Sequence, residues 1–304
     1  MTSLFDRLVV SSLPFVPRAV VGRVASRYVA GETLEDALGA IRSLALEGAV
    51  ATLDVLGESV TRAEQTRETT LEYLRALDAL WAAGLPGNVS VKPTAIGLSI
   101  DPALALENGR AICARARESG AFVRVDMEDS SVTEATLRLA LELKAGYDAV
   151  GVVVQACLRR TMKDLDRLVE ARMSVRVCKG IYVEPRSIAF QEREVVRESY
   201  AALVEKLLAG GCSVGIATHD EYCVERALGT VDRLAVPSDR YEFQMLLGVD
   251  PLLRRVLVGA GHRLRVYVPY GRDWYAYSIR RLKENPSISR HVVRATLGLG
   301  PSAS

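Results

Sequence analysis

Histidine is scarce in this sequence: His219, His262 and His291 are the only three in 304 residues. They show no H-x-x-x-H or H-E-x-x-H spacing, so zinc hydrolase chemistry has no ligand set and no metal is expected. The five cysteines, Cys113, Cys157, Cys178, Cys212 and Cys223, form no C-x-x-C pair and are odd in number. Most sit in apolar runs, which suits reduced, buried thiols and a cytoplasmic chain. Neither sign of charge dominates, with 39 Lys+Arg against 37 Asp+Glu and a net charge of +2. Without a basic surplus or stripe, no nucleic-acid partner is expected. No apolar run reaches the roughly 18 residues that cross a bilayer. The first thirty residues are fairly apolar but are broken by Asp6, Arg7, Pro14, Pro17, Arg18, Arg23 and Arg27. A signal peptide wants a longer unbroken core and a small-residue cleavage site. This stretch reads as a helical arm with an apolar face. Packing on the rest of the protein is the ordinary use of such a face; membrane-surface contact and self-association are the others.

What the sequence does have is 49% hydrophobic residues arranged in a repeated rhythm. Short β-branched runs occur at 50–56 (VATLDVL), 89–91 (VSV), 122–127 (FVRVDM), 149–155 (AVGVVVQ), 174–179 (SVRVCK), 214–218 (VGIAT), 241–244 (YEFQ) and 264–268 (LRVYV). Between them lie stretches with apolar residues at helical spacing, several closed by Gly84, Gly120, Gly146 or Gly210. Eight strands alternating with helices imply a parallel sheet, and eight is the number that closes a barrel. The expected fold class is α/β, a (βα)8 TIM-type barrel over residues 46–304 behind an N-terminal helical arm, 1–45. Thr33 is the expected N-cap of a helix that starts at the end of that arm. The runs are read as lacking period-2 alternation, as strands buried on both faces do. An open doubly wound sheet would want a G-x-G-x-x-G turn after its first strand; Gly57-Glu58-Ser59-Val60 is not one.

Barrel chemistry sits at the carboxyl ends of the strands. There this sequence places Glu58, Lys92, Asp126, Gln155, Arg176, Lys179, Thr218-His219-Asp220 and Tyr267. Any one of them is ordinarily just a satisfied polar residue at a strand end. A whole ring is harder to explain by packing, because buried charge is expensive unless paired. Tyr277, Arg280, Arg281 and Glu284 follow at i, i+3, i+4 and i+7, one face of a helix that Asn285-Pro286 ends. Two adjacent guanidiniums suit a carboxylate or phosphate; a solvated face with an Arg280–Glu284 pair is the plainer alternative.

Seven blocks carry a resemblance. They are Val91-Lys92-Pro93, Val125-Asp126-Met127-Glu128, Val153-Val154-Gln155, Arg176-Val177-Cys178-Lys179-Gly180-Ile181-Tyr182, Ala217-Thr218-His219, Tyr241-Glu242-Phe243-Gln244 and Tyr277-x-x-Arg280-Arg281-x-x-Glu284-Asn285. In this order they resemble the proline dehydrogenase family, in particular its short bacterial monofunctional members. The resemblance implies a barrel with the last helix over its mouth and a non-covalently bound FAD. It implies oxidation of L-proline to Δ1-pyrroline-5-carboxylate, with electrons passed to a membrane quinone. Arg280 and Arg281, helped by Lys92, would hold the substrate carboxylate. Tyr277, Tyr267, Leu246 and Tyr182 would wall the pyrrolidine ring. Glu58 would pair with Arg280 as a gate, and Asp126 would hold the Lys92 ammonium. Arg176 would lie near flavin N5, and Gln155 would bond the ring's pyrimidine edge. Lys179 and His219 would approach the ribityl and phosphate portion, and Glu284 would anchor a hydroxyl. Gly180, Thr218 and Met127, in the same blocks, complete the expected cofactor side. Val183 departs from the pattern, standing where the large bifunctional relatives carry Trp.

No aldehyde-dehydrogenase segment follows the barrel in this sequence, so a separate pyrroline-5-carboxylate dehydrogenase is the expected downstream partner. The expected location is the cytoplasm, with peripheral contact at the inner face of the cell membrane, and self-association, left open. Two rival readings remain at this level. One is a Schiff-base aldolase on the same barrel with Lys179 as nucleophile and Asp126 and Glu128 as acid and base. The other is a barrel kept as a binding scaffold, with no cofactor and no turnover.

Overall fold

The computed structural model describes residues 21–22, 25–57, 60–275 and 277–279. Helix α1 (Leu34–Leu46) leads into strand β1 (Val50–Val55), helix α2 (Ala63–Ala82) and strand β2 (Asn88–Val91). Helix α3 (Pro102–Ser119), β3 (Phe122–Val125), α4 (Thr133–Gly146), β4 (Val150–Gln155), α5 (Thr161–Glu170) and β5 (Ser174–Cys178) continue the alternation. Helix α6 (Arg193–Ala209), β6 (Val214–Ala217), α7 (Glu221–Arg233), β7 (Tyr241–Leu246), α8 (Pro251–Gly259) and β8 (Leu264–Tyr270) complete it. All eight strands are parallel and close in chain order, β8 pairing with β1 from Val50↔Arg265 to Val55↔Tyr270. This is the expected (βα)8 barrel. Every strand run read from the sequence is a strand, with ends moved by a residue or two. The largest changes put Asp126 and Met127 just past β3 and extend β7 to Leu246 and β8 to Tyr270.

Thr33 caps α1 through a capping box: the Asp36 amide donates to Thr33 Oγ1 at 3.2 Å, and the Thr33 amide donates to Asp36 Oδ2 at 3.0 Å. Helix α1 packs on the outside of β8 and β1, with Ala37, Leu38, Ile41 and Leu44 buried. It thus covers the one seam that no helix between consecutive strands can reach. The end of β8 is also clasped by the chain ahead of α1: the Ala30 amide donates to the Pro269 carbonyl at 2.9 Å, and Gly271 to Gly31 at 3.0 Å. Within the described part of the arm, Val21, Ala25 and Val29 are buried, and Val29 clusters with Leu56 and Tyr277.

The expectation that the strands lack alternation holds for Val152-Val153-Val154 of β4 and fails for most of the others. Val89 and Val91, Val123 and Val125, Val175 and Val177, Val266 and Val268 are buried apolar residues separated by polar ones. The polar phase faces the barrel axis, since successive side chains of a strand point to opposite faces. Hydrogen bonds between strands that are not neighbours prove it. Arg176 on β5 reaches Ser90 on β2 and Gln244 on β7; Arg124 on β3 reaches Ser174 on β5. Both faces are buried, but only the outer one is apolar throughout; the inner one mixes Val153 and Leu246 with its polar groups. Interiors of such barrels are usually filled by Val, Ile and Leu; this one is filled mostly by charge and amide. Room comes from small neighbours. A Cβ on Gly151 would lie 2.3 Å from Arg124 Nη1, and one on Gly215 would lie 2.4 Å from Gln244 Nε2.

Candidate active site

A cavity of about 310 Å³ opens at the carboxyl ends of the strands. Its floor is a hydrogen-bonded network that the alternation of the strands aims inward. Asp126 is the hub. Its Oδ1 accepts from Ser90 Oγ at 2.9 Å and from Arg176 Nη1 at 3.0 Å; its Oδ2 accepts from Tyr267 at 2.9 Å. Arg176 Nη1 also donates to Ser90 Oγ, and its Nε donates to Gln244 Oε1 at 2.5 Å. The Gln244 amide then donates to Glu242 Oε1 at 2.7 Å, and Glu242 takes Arg265 through two bonds at 2.6 and 3.1 Å. The orientation of the Gln244 amide follows from its neighbours, since a guanidinium can only donate and a carboxylate can only accept. Burial, with Asp126 and Asp54 close by, pushes the Tyr267 phenol well above its ordinary range.

Arg176 is 6% exposed, yet one edge of it is unspent. Nε and Nη1 are bonded as above, and Nη2 has no hydrogen-bond partner among the described residues while the side chain lines the cavity. The site therefore offers a fixed guanidinium edge to whatever occupies it. Gln155 is the complement. Its amide group donates to the carbonyls of Met127 at 3.3 Å and Glu128 at 2.9 Å, leaving Oε1 with only a long 3.9 Å contact from the Cys157 thiol. Gly180 brings backbone over this acceptor: its φ is +100°, and a Cβ there would lie 2.3 Å from Cys157 Sγ and 3.2 Å from Gln155 Oε1. Only glycine fits. A donor edge and an acceptor edge in one apolar-walled cavity are what the ring of a flavin needs, and these residues fit it.

Farther along the rim the Lys179 ammonium sits 2.7 Å from Asp220, which Arg197 also grips through two bonds at 2.8 Å. These bonds, those from Arg197 first, hold the Asp220 carboxyl well below the usual range. A salt-bridged Lys179 suits a charge that faces an anion and not the neutral amine of a Schiff-base nucleophile. His219 Nε2 accepts from the Leu246 amide at 2.9 Å, which places the ring proton on Nδ1. Thr218 Oγ1 accepts from the Asp220 amide at 3.0 Å.

Lys92, Asp126, Tyr182, Leu246, Tyr267 and Tyr277, expected around a substrate, line this one cavity. So do Met127, Gln155, Arg176, Lys179, Gly180, Thr218 and His219, expected around a cofactor. Glu58, Arg280, Arg281 and Glu284 lie outside the described residues. Val183 is fully exposed and is not part of the wall.

One expected pairing is corrected. The Lys92 ammonium is bonded to Asp54, not held by Asp126. Asp54 on β1 is in register with Ser90 on β2, so its carboxylate stands one inward step below Lys92 on the adjoining strand. Asp126 is already committed to Arg176, Ser90 and Tyr267. Asp54 is completely buried, and burial pushes its pKa up to about 6; Lys92 pulls it back, and Asp126 adds to the rise. Asp54, Ser90, Gln244 and Glu242 carry no role in the sequence reading. The signal for them was there, a polar residue in every second position of an otherwise apolar strand.

The sequence profile of the proline dehydrogenase family matches residues 37–294. The chain belongs to the proline dehydrogenase family. A proline dehydrogenase of Deinococcus radiodurans is 36% identical over 285 residues, 92% of either chain. Proline dehydrogenase 1 of Bacillus subtilis strain 168 is 34% identical over 273 residues, 90% of either chain. The proline utilization A protein of Bdellovibrio bacteriovorus, solved after inactivation by N-propargylglycine, superposes with a TM-score of 0.81 over 91% of this chain. At 23% identity that likeness speaks for the fold alone. A bifunctional proline utilization A structure gives a TM-score of 0.73 at 26% identity over 92% of this chain. The chain spans about a third of those larger proteins and matches single-function relatives nearly end to end. It is thus an enzyme of proline catabolism, of the monofunctional bacterial type.

Proposed function

We propose that the enzyme oxidises L-proline to Δ1-pyrroline-5-carboxylate with a non-covalently held FAD, and that the electrons leave to a membrane quinone. The observation that carries this reading is the Arg176 edge, fixed by Gln244 and Asp126 and left without a partner on the cavity side. When bound, FAD supplies a two-electron acceptor for the hydride that leaves proline C5. Arg176 and Gln155 would hold its ring, with Met127, Gly180 and Thr218 against it. Lys179, His219 and Glu284 would hold the portion beyond. The rest of the work falls to the protein's own groups. Lys92, with Arg280 and Arg281, grips the proline carboxylate, and Tyr267, Tyr277, Tyr182 and Leu246 fix the pyrrolidine ring, so that C5 is presented in one orientation. Clustered cations beside the substrate disfavour its ammonium form and favour the neutral amine, whose lone pair assists loss of the hydride. Glu58 gates entry by pairing with Arg280. The product passes to a separate pyrroline-5-carboxylate dehydrogenase. The same reading has the enzyme in the cytoplasm, meeting the quinone at the membrane surface; no helix among the described residues is long and apolar enough to cross a membrane.

The test is the visible spectrum of the purified chain. Flavin absorption that bleaches when proline is added without oxygen supports the proposal. A colourless protein that takes up no FAD when offered an excess overturns it.

A further inference from the structure

A second cavity, of about 640 Å³, lies at the opposite end of the barrel, bordered by Asn88, Phe122, Ser174, Val214 and Tyr241, the first residues of β2, β3, β5, β6 and β7. Its charge is one-sided. Six cationic side chains line it, Arg124, Lys144, Arg172, Arg240, Arg263 and Arg265, against the carboxylates of Asp148, Asp239 and Glu242. Glu242 neutralises Arg265 at 2.6 Å and reaches Arg263 at 3.1 Å; Lys144 has the fully exposed Asp148 at 3.2 Å. The other three guanidiniums have no carboxylate within ion-pairing distance among the described residues.

Arg124 is the most telling. It is 4% exposed, and its bonds go only to neutral groups: the Val152 carbonyl at 3.3 Å, the Ser174 carbonyl at 2.7 Å and Ser174 Oγ at 3.1 Å. Burial first, and then repulsion from Arg176, push its pKa down to about 9. A guanidinium that deep ordinarily has a carboxylate or a bound anion. Arg240 gives Nη2 to the Leu208 and Cys212 carbonyls at 3.0 Å, and its Nε is buried without an acceptor. Arg172 holds a left-handed backbone with φ +46°, and its side chain makes no hydrogen bond or ion pair among the described residues. The space for Arg124 is itself built, since any side chain at Gly151 would collide with Nη1.

The geometry points to an anion-binding site at the amino-terminal end of the barrel, in the cavity that Arg124, Arg172 and Arg240 line, for a phosphate-sized oxyanion. Guanidinium forks match the paired oxygens of phosphate, and a doubly charged ion offsets more than one of them. Free phosphate and a small phosphate ester share this chemistry. The cavity shares Arg265 with the mouth cavity, but Arg124, Arg172 and Arg240 line only this one, and the site does not depend on the oxidation chemistry proposed at the mouth.

The test is calorimetric titration of the flavin-loaded, full-length protein with inorganic phosphate, and in a second arm with glycerol phosphate, at an ionic strength held constant with chloride. One phosphate per chain should bind saturably. The double variant Arg172→Ser, Arg240→Gln should bind about tenfold more weakly or worse, with proline turnover unchanged. Binding in both arms means a pocket open to esters; binding of inorganic phosphate alone means a closed one. Absence of saturable heat in either arm, or equal affinity in parent and double variant, overturns the proposal. Arg172 is exposed and Arg240 half-buried. Should the double variant not fold, Arg172→Ser alone makes the same comparison.

Discussion

The Lys92–Asp54 pair gives the mouth cavity a pH response whose sign can be worked out. Folding raises the Asp54 pKa from an ordinary 3.8 to about 6. The folded protein therefore keeps, between about pH 4 and pH 6, a proton that the unfolded chain has released. The buried, charged carboxylate costs up to roughly 3 kcal/mol, a penalty absent below about pH 4 and complete above about pH 6. Its effect on ligands runs through Lys92. Above about pH 6 Asp54 is charged and offsets the ammonium; as the pH falls through 6 it becomes neutral and offsets the Lys92 charge less toward an anion in the cavity. A five-membered-ring carboxylate with an ether oxygen in place of the amine, used as a competitive inhibitor, titrates below about pH 4 and so keeps one charge through this range. Its inhibition constant should fall by about tenfold from about pH 8 to about pH 5, a fraction of the Coulomb energy of adjacent charges at a protein-like dielectric. Asp54→Asn keeps the shape and removes the titration. The variant should bind the inhibitor at high pH as tightly as the parent does at low pH, with a flat profile. If variant and parent show the same slope, Asp54 does not control the charge of this site.

Arg281→Met should raise KM for proline by roughly 10- to 100-fold, the worth of one charge-assisted pair, while bound FAD per chain is unchanged; an unaltered KM removes Arg281 from carboxylate binding. Arg176→Gln should leave a flavoprotein whose two-electron reduction potential is lower by about 30–60 mV, the equivalent of one hydrogen bond to a charged partner. Spectroelectrochemical titration reads this, and an unshifted potential at full flavin content counts against the Arg176 contact. Gly151→Ala should lower stability by about 1–3 kcal/mol in urea melts, because a methyl group must enter space that the Arg124 guanidinium fills; an unchanged midpoint means that Arg124 has somewhere else to go.

Most of the fold was legible because its signals are local. Eight β-branched runs separated by helical periodicity specify the element order, and the same residues at the strand ends specify where the cavity opens. Thr33 reveals the start of α1 without any tertiary information, and Asp36 completes its cap in the structure. Partners were harder. Lys92 belongs with Asp54 because β1 and β2 are in register at Asp54 and Ser90, and register is not written in either strand alone. The roles of Gln244 and Glu242 depend on a span across the barrel axis to Arg176, between strands separated by β6. The alternation that exposes them is visible in the runs, but it does not say which polar side chains meet across the barrel. The charged bottom cavity was illegible for the same reason, since Arg124, Arg172 and Arg240 come from three distant parts of the chain.

The clasp between the end of β8 and the segment before α1 gives this enzyme a particular order of assembly. Residues 30 and 31 hold on to 269 and 271, so the seam joins contacts separated by more than two hundred positions, the slowest kind to form. Strands emerging from a ribosome can pair one after another from β1 to β7, but the mouth acquires Tyr267 and Tyr277 only when the last strand returns to the first. Trimming the leading residues would therefore loosen the far end of the polypeptide, and a change that appears remote from the pocket would be felt as a failure to close it.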